Sequence, residues 1–284
     1  MTASHHMVEA NGLRFRVLAD GPTTGELFVL LHGFPEGSES WTRQIDALAK
    51  AGALAVAPDM RGYGSTEAPA DVESYRLPAL VDDVAGIVKA FGRDRAHIAG
   101  HDWGAMVAWY FAGIHPDMTE TLTVLSVGHP AALGDAVKTD GDQKERSDYI
   151  RLFLMEGKAE SVLSADDFRR LRAMFRDVVP RTVVDRFVRS VARPGRLTAG
   201  LNYYRANLSR DDWWGGLRSD LDIAAPTVLL WGDQDPALGR LQAESTADHV
   251  RGAFQLEVLE GAGHWLQFER PNEIARSLTS ALSK

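Results

Sequence analysis

Six short apolar runs limit this chain most: "LFVLLHG" (27–33), "ALAVAPD" (53–59), "AHIAGHD" (96–102), "TLTVLSVGH" (121–129), "TVLLWGD" (227–233) and "FQLEVLEGAGH" (254–264). Most are continuously apolar rather than alternating, which suits strands buried on both faces, and such strands belong to parallel sheets. Helix-like stretches separate them. "SWTRQIDALAKAG" ends on Gly52, "LPALVDDVAGIVKAFG" ends on Gly92, and "GAMVAWYFAGIHP" stops at Pro116. Strand–helix alternation of this kind predicts an α/β fold, a mostly parallel sheet with helices on both faces. Ahead of it, "HMVEANGLRFRVLAD" reads as two strands joined at Asn11-Gly12, a type I′ hairpin signal.

From about Pro130 to Leu221 the alternation stops, and no strand is predicted. "SADDFRRLRAMFRDVVPRTVVDRFVRSVARPGRL" reads instead as amphipathic helices, with Leu171, Met174, Phe175 and Val178 at helical spacing. The expected organisation is a sheet core made of residues 1–130 and 220–284 around an inserted helical cap at 131–219. The cap's arginines are interspersed with Asp166, Asp167, Asp177 and Asp185. That mixture reads as a solvated helix face in preference to a patch for an anionic partner.

Composition removes several function classes. The 284 residues include no cysteine, so disulfides, thiolate metal sites and a cysteine nucleophile are out. The formal net charge of −8 is not the basic footprint of a nucleic-acid binder. No stretch approaches the roughly 18–20 apolar residues of a membrane span, and the start lacks the pattern of a signal peptide. A cytoplasmic protein is the expectation. His5 and His6 read as part of a loose terminus rather than a metal site.

Ligands of an open parallel sheet bind beyond the carboxyl ends of its strands. Asp102, Asp235, His264 and the His32-Gly33-Phe34-Pro35 turn all fall at such ends. Gly100-His101-Asp102-Trp103-Gly104 has the spacing of a G-x-S-x-G nucleophile elbow with Asp where Ser would stand, and the order Asp102, Asp235, His264 is that of nucleophile, acid and histidine in α/β-hydrolases. Taken singly, Asp102 could be a turn carboxylate, Asp235 a helix cap and His264 a structural histidine. Three strand ends in that order favour catalysis. His32, His97 and His101 read as structural.

"HGFPE", "RGYGST", "GHDWGA", "WGDQDPAL" and "GAGHWLQFERP" span nearly the whole chain, and with them the sequence resembles the epoxide hydrolases of the α/β-hydrolase superfamily. The resemblance implies two cap tyrosines as donors to the epoxide oxygen: Tyr149 in "DYIRLFLMEG" and Tyr204 in "NYYRAN", with Tyr203 packing. It implies an oxyanion hole from the backbone N–H groups of Phe34 and Trp103, and a cis Phe34–Pro35 bond. Phe34, Pro35 and Trp103 are the expected lining of the substrate pocket. The implied reaction turns an apolar epoxide into a vicinal diol through a covalent Asp102 ester, which water activated by His264 then hydrolyses. No metal or organic cofactor is expected, and water and a small epoxide are the expected partners. A homodimer is expected only by analogy.

A haloalkane dehalogenase with the same Asp-His-Asp triad stays open at this point. That motif commonly places Asn where Phe34 stands, and it gives the tyrosine pair no task. A non-catalytic ligand-binding member of the fold is a further reading, and inertness toward an epoxide panel with binding intact would favour it. One departure from the family is Ser38 in "HGFPEGSESW", where a Trp is common, and it predicts a change in pocket shape rather than in chemistry.

Overall fold

The computed structural model describes residues 3–209 and 220–282. The last ten residues of the expected cap, 210–219, lie outside them, as do the terminal residues 1–2 and 283–284 of the expected core.

The hairpin forms as predicted. Strands β1 (Ser4–Ala10) and β2 (Leu13–Asp20) pair antiparallel, and Asn11 and Gly12 between them both have positive φ, as a type I′ turn requires. The six apolar runs become β3 (Leu27–Leu31), β4 (Leu54–Pro58), β5 (Ala96–His101), β6 (Thr119–Leu125), β7 (Thr227–Gly232) and β8 (Phe254–Leu259). All eight join one sheet in the order β1-β2-β4-β3-β5-β6-β7-β8, parallel from β4 onward.

Alternate residues of the central strands enter two separate cores, which is why those runs need no polar face. Val29, Val56, Ile98 and Val124 point into one core. Phe28, Leu30, Ala55 and Ala99 point into the other. Helices α1 (Thr42–Lys50), α2 (Leu77–Ala90) and α3 (Trp103–Ile114) connect the first strands. α3 is buried on nearly every side, which explains its almost unbroken apolar sequence. Truncating a residue such as Leu30 to Ala would cost about 2–5 kcal/mol, the usual range for a core cavity.

Between β6 and β7 the described residues form six helices: α4 (Pro130–Thr139), α5 (Gly141–Arg146), α6 (Tyr149–Phe153), α7 (Lys158–Met174), α8 (Arg181–Val191) and α9 (Arg196–Asn207). No strand is present among the described residues of this stretch. After it come α10 (Arg240–Glu244), α11 (Leu266–Glu269) and α12 (Pro271–Ser280). Arg205 in α9 makes a bidentate pair with Glu160 in α7, at 2.7 and 2.9 Å. Asn207 fastens α9 to the start of α2, accepting from Leu77 N and donating to the Tyr75 carbonyl. Arg169 and Arg172 pair with Asp166, Asp167 and Asp185.

The apolar stripe is shorter than its spacing suggests. Leu171 and Phe175 are buried, but Val178 is exposed. α7 ends at Met174, and Arg176 and Asp177 take left-handed backbone angles, so the helical phase is lost before Val178. α7 is itself broken, because Asp166, Asp167 and Phe168 are all left-handed.

Candidate active site

The elbow places Asp102 where β5 gives way to α3, with φ 52° and ψ −120°. That is a sparsely populated region for a residue with a side chain, held by the packing around it. The two flanking glycines permit the sharp turn: a Cβ on Gly100 would meet the Gly104 carbonyl oxygen at 2.2 Å, and one on Gly104 would meet the Leu31 carbonyl oxygen at 2.2 Å. The Phe34 N–H donates to Asp102 Oδ1 at 2.7 Å. The Trp103 N–H opens α3, where the first amides have no acceptor within the helix. The Phe34–Pro35 bond is cis.

Asp235 follows β7. Its Oδ1 accepts from Ala237 N at 2.8 Å and Leu238 N at 3.0 Å, and its Oδ2 accepts from His264 Nδ1 at 2.8 Å. Nearby Asp233 accepts from Gly261 N and shapes the turn instead. His264 follows β8 on a loop clasped by Glu269, which accepts from the N–H groups of Gly263 and Trp265. Its Nε2 stands 3.8 Å from Asp102 Oδ2.

The electrostatics of these groups are coupled. Burial raises the Asp102 carboxyl, but His264 and the Phe34 N–H outweigh it, and the group lies below its ordinary value. Burial lowers His264, yet Asp235 and Asp102 together hold it well above the ordinary histidine value. Tyr149 and Tyr204 are raised chiefly by burial. The Asp102 charge adds to both, and for Tyr204 so does neighbouring Tyr149. Both phenols therefore keep their protons at neutral pH and are available as donors.

Two cavities meet over Asp102. A small inner one of 20 Å³ is bounded by Trp103, Met106, Val127, Leu133 and Leu238, together with Asp102, Tyr149, Tyr204 and His264. A larger outer one of 490 Å³ shares Asp102, Tyr149, Tyr204 and His264 and adds Phe34, Met174, Pro236 and Trp265. Phe34 and Trp103 thus line cavities, one each, whereas Pro35 lines neither, contrary to expectation. Ser38 also lies away from both. It is buried beside Asp59, whose Oδ1 accepts from its N–H, so its difference from Trp does not face these cavities. Tyr203 is buried and donates to the Arg61 carbonyl, the packing position expected of it.

Sequence reasoning missed a layer behind the histidine. His101 donates from Nε2 to the His264 carbonyl at 2.9 Å, and Ser126 Oγ donates to the same oxygen at 3.0 Å. His101 Nδ1 lies 2.7 Å from Glu36 Oε1, and Gln267 donates to Glu36 Oε2. These residues hold the backbone that carries His264. "HGFPE" and "GHD" contain Glu36 and His101, but nothing in their spacing says that the two meet. His32 donates to the Gly33 carbonyl and accepts from Met60 N, and His97 bonds Glu26 and Thr121, so both are structural.

A family model described as alpha/beta hydrolase fold matches residues 26–271. Epoxide hydrolase 3 of Xenopus tropicalis is 34% identical over 96% of this chain and 76% of its own length. Epoxide hydrolase A of Mycobacterium tuberculosis (strain ATCC 25618 / H37Rv) is 32% identical over 99% of this chain and 97% of its own. The chain belongs to the epoxide hydrolases of the α/β-hydrolase fold family. Solved members superpose on this epoxide hydrolase closely. The crystal structure of Epoxide Hydrolase A from Mycobacterium thermoresistibile matches with a TM-score of 0.84 at 31% identity, covering 99% of this chain and 98% of that one. A Bacillus megaterium epoxide hydrolase in complex with an inhibitor matches at 0.88 and 27% identity, covering 98% and 100%. No helix among the described residues of this epoxide hydrolase is long and apolar enough to cross a membrane.

Proposed function

We propose that the chain converts an apolar epoxide to a vicinal diol in two steps, both on Asp102. In the first, a carboxylate oxygen of Asp102 attacks a ring carbon. The carbon–oxygen bond breaks, its electron pair stays on oxygen, and an ester forms. Tyr149 and Tyr204 donate hydrogen bonds to that oxygen as its charge grows, and one of the phenols passes it a proton and is reprotonated from solvent. In the second, His264 removes a proton from water, which attacks the Asp102 carboxyl carbon. Asp235 fixes the histidine's tautomer and balances its charge. The tetrahedral oxyanion is received by the N–H groups of Phe34 and Trp103. As it collapses the ester C–O bond breaks, the leaving oxygen takes the proton from His264, the diol departs and the Asp102 carboxyl releases its remaining proton to solvent.

The observation that carries this reading is the shared cavity. Asp102, His264 and both tyrosines line one space, with Asp235 directly behind the histidine. An ionised carboxylate needs no base to attack, so His264 is left for the water. The reading also assigns residues 131–219 as a cap, since Tyr149 and Tyr204 reach the site from α6 and α9. The tyrosine pair weighs against halide chemistry, because a leaving halide takes up no proton and leaves the two phenols without the task an alkoxide gives them. Trp103 packs edge-on against Tyr204, with ring centroids 5.1 Å apart.

The test is to offer matched epoxides and haloalkanes and measure diol and halide release together. Diol formation without comparable halide release is expected, and halide release that outpaces it would overturn the reading.

A further inference from the structure

The outer cavity is apolar along most of its wall, with Phe34, Met174, Pro236, Ala237 and Trp265 contributing. Its charged members other than Asp102 and His264 are both arginines, Arg146 and Arg176. Among the described residues, no carboxylate other than Asp102 lines it. Two cations on an apolar passage run against the net charge of −8 for the whole chain.

The two arginines are not equivalent. Arg146 is committed: its Nε donates to Asp142 at 2.7 Å, and its Nη1 donates to the Asp235 carbonyl. Arg176 is exposed, and among the described residues no acid pairs with its guanidinium. Arg176 stands between the passage and an adjoining surface pocket that it also lines with Asp167, Asp177 and Asp185; none of these three carboxylates lines the passage, and Asp167 and Asp185 pair with Arg172. Arg176 also has φ 47°, an uncommon angle for a residue with a side chain. Strained backbone of this kind is retained where the surroundings fix it. The wall beside it is fastened by Trp265 Nε1, which donates to the Met174 carbonyl, so the loop of His264 and the end of α7 form one rim.

We propose that Arg176 is a specificity-determining residue: it receives a carboxylate carried at the far end of an apolar arm whose epoxide lies at Asp102. The inference rests on the epoxide hydrolase reading and names a substrate class for it. A planar guanidinium with uncommitted N–H groups matches a carboxylate in a two-point contact. The apolar wall accepts the arm, and Arg146 adds to the positive field at the rim. The interaction binds the substrate at a distance from the reacting atoms, so it acts on KM more than on kcat.

The experiment compares terminal epoxyalkanoates of increasing chain length with their methyl esters, in the wild-type protein and in Arg176→Gln and Arg176→Lys. At the chain length that spans the passage, the acid should exceed its ester by about tenfold in kcat/KM at low ionic strength, and salt should erode the margin. Arg176→Gln should collapse the acid-to-ester ratio through KM, and Arg176→Lys should keep part of it. An acid-to-ester ratio near one at every length would overturn the inference. So would a ratio that survives Arg176→Gln while both activities fall together, which is the mark of a structural role. Hydrolysis of neutral aryl epoxides with neither acid nor ester turned over would also overturn it. Failure to hydrolyse any epoxide would sink the underlying reaction instead.

Discussion

His264 Nε2 stands 3.8 Å from Asp102 Oδ2 while His264 Nδ1 stands 2.8 Å from Asp235 Oδ2. The nearer carboxylate is hydrogen-bonded, and the farther one acts mainly through its charge. In the proposed reaction Asp102 loses that charge when it becomes an ester, and one of the groups holding His264 protonated disappears just when a base is needed. Asp102→Asn reproduces the loss without an ester. Imidazole nitrogen chemical shifts followed against pH should show a lower His264 pKa in Asp102→Asn than in the wild type. An unchanged titration would mean that the two groups are not coupled. The same raised pKa has a stability consequence. A histidine raised by folding contributes stability fully below its unfolded value, about 6.5, and the contribution is lost as pH rises from there through the folded value. Asp235→Asn, which removes the leading cause of the rise, should flatten the decline in melting temperature across that alkaline window.

The tyrosine pair should act on the first step alone. Tyr149→Phe and Tyr204→Phe should each slow ester formation by about 10²-fold, the scale of losing one donor to a developing oxyanion. The double variant should be worse than either but less than the product of the two, because both donors serve one oxygen. Stopped-flow tryptophan fluorescence can follow the step, since Trp103 packs edge-on against Tyr204. Slowed ester hydrolysis with normal ester formation would place the tyrosines elsewhere in the reaction.

The layer behind the histidine should matter to both folding and turnover. Glu36 is fully buried; burial raises its carboxyl, but the adjacent His101 brings it below the ordinary value. Glu36→Ala strands His101 and Gln267 in the interior at a cost of about 3 kcal/mol. It should lower the melting temperature and kcat together. Ser126→Ala removes one of two donors to the His264 carbonyl, and should cost about 1 kcal/mol. Thermal melts and steady-state kinetics on the two variants check this order; equal losses in both would contradict it.

His129, at the entry to α4, is buried with its ring stacked on His249 and its Nδ1 accepting from Ala131 N. Burial and the charge of His249 push its pKa down to about 4. Its folded value lies below its unfolded one, so the unfolded chain takes the proton first. Stability should then fall as pH drops from about 6.5 to about 4, by up to about 3 kcal/mol from this residue. His129→Asn keeps an acceptor for the helix start, and should shrink the acid-side drop in melting temperature. An identical drop in the variant would show that other groups carry it.

Much of the fold was legible because its signals are local. The unbroken apolarity of "FVLL" reflects a strand whose alternate residues fill two cores, and Asn11-Gly12 supplies the two positive φ angles of the turn between β1 and β2. The strand-end residues Asp102, Asp235 and His264 could be placed together because a parallel sheet brings its carboxyl ends to one edge. Glu36 against His101 could not be read, since that contact joins the turn after β3 to the end of β5 across 65 residues and either side chain alone suits many roles. Val178 was misplaced for a different reason. Helical spacing says nothing of where a helix stops, and here the left-handed Arg176 and Asp177 stop it before Val178. Pro35 and Ser38 were tied to the pocket by proximity in sequence, whereas neither lines the two cavities over Asp102.

The central claim is that Asp102 makes an ester which water cleaves at the Asp102 carbonyl. A single turnover in ¹⁸O-labelled water, followed by mass analysis of the peptide containing Asp102, tests it most directly, with His264→Gln as companion. Label should appear in the Asp102 carboxylate of the wild type, and His264→Gln should accumulate protein heavier by the mass of one substrate. Label confined to the diol, with no adduct in His264→Gln, would contradict the account.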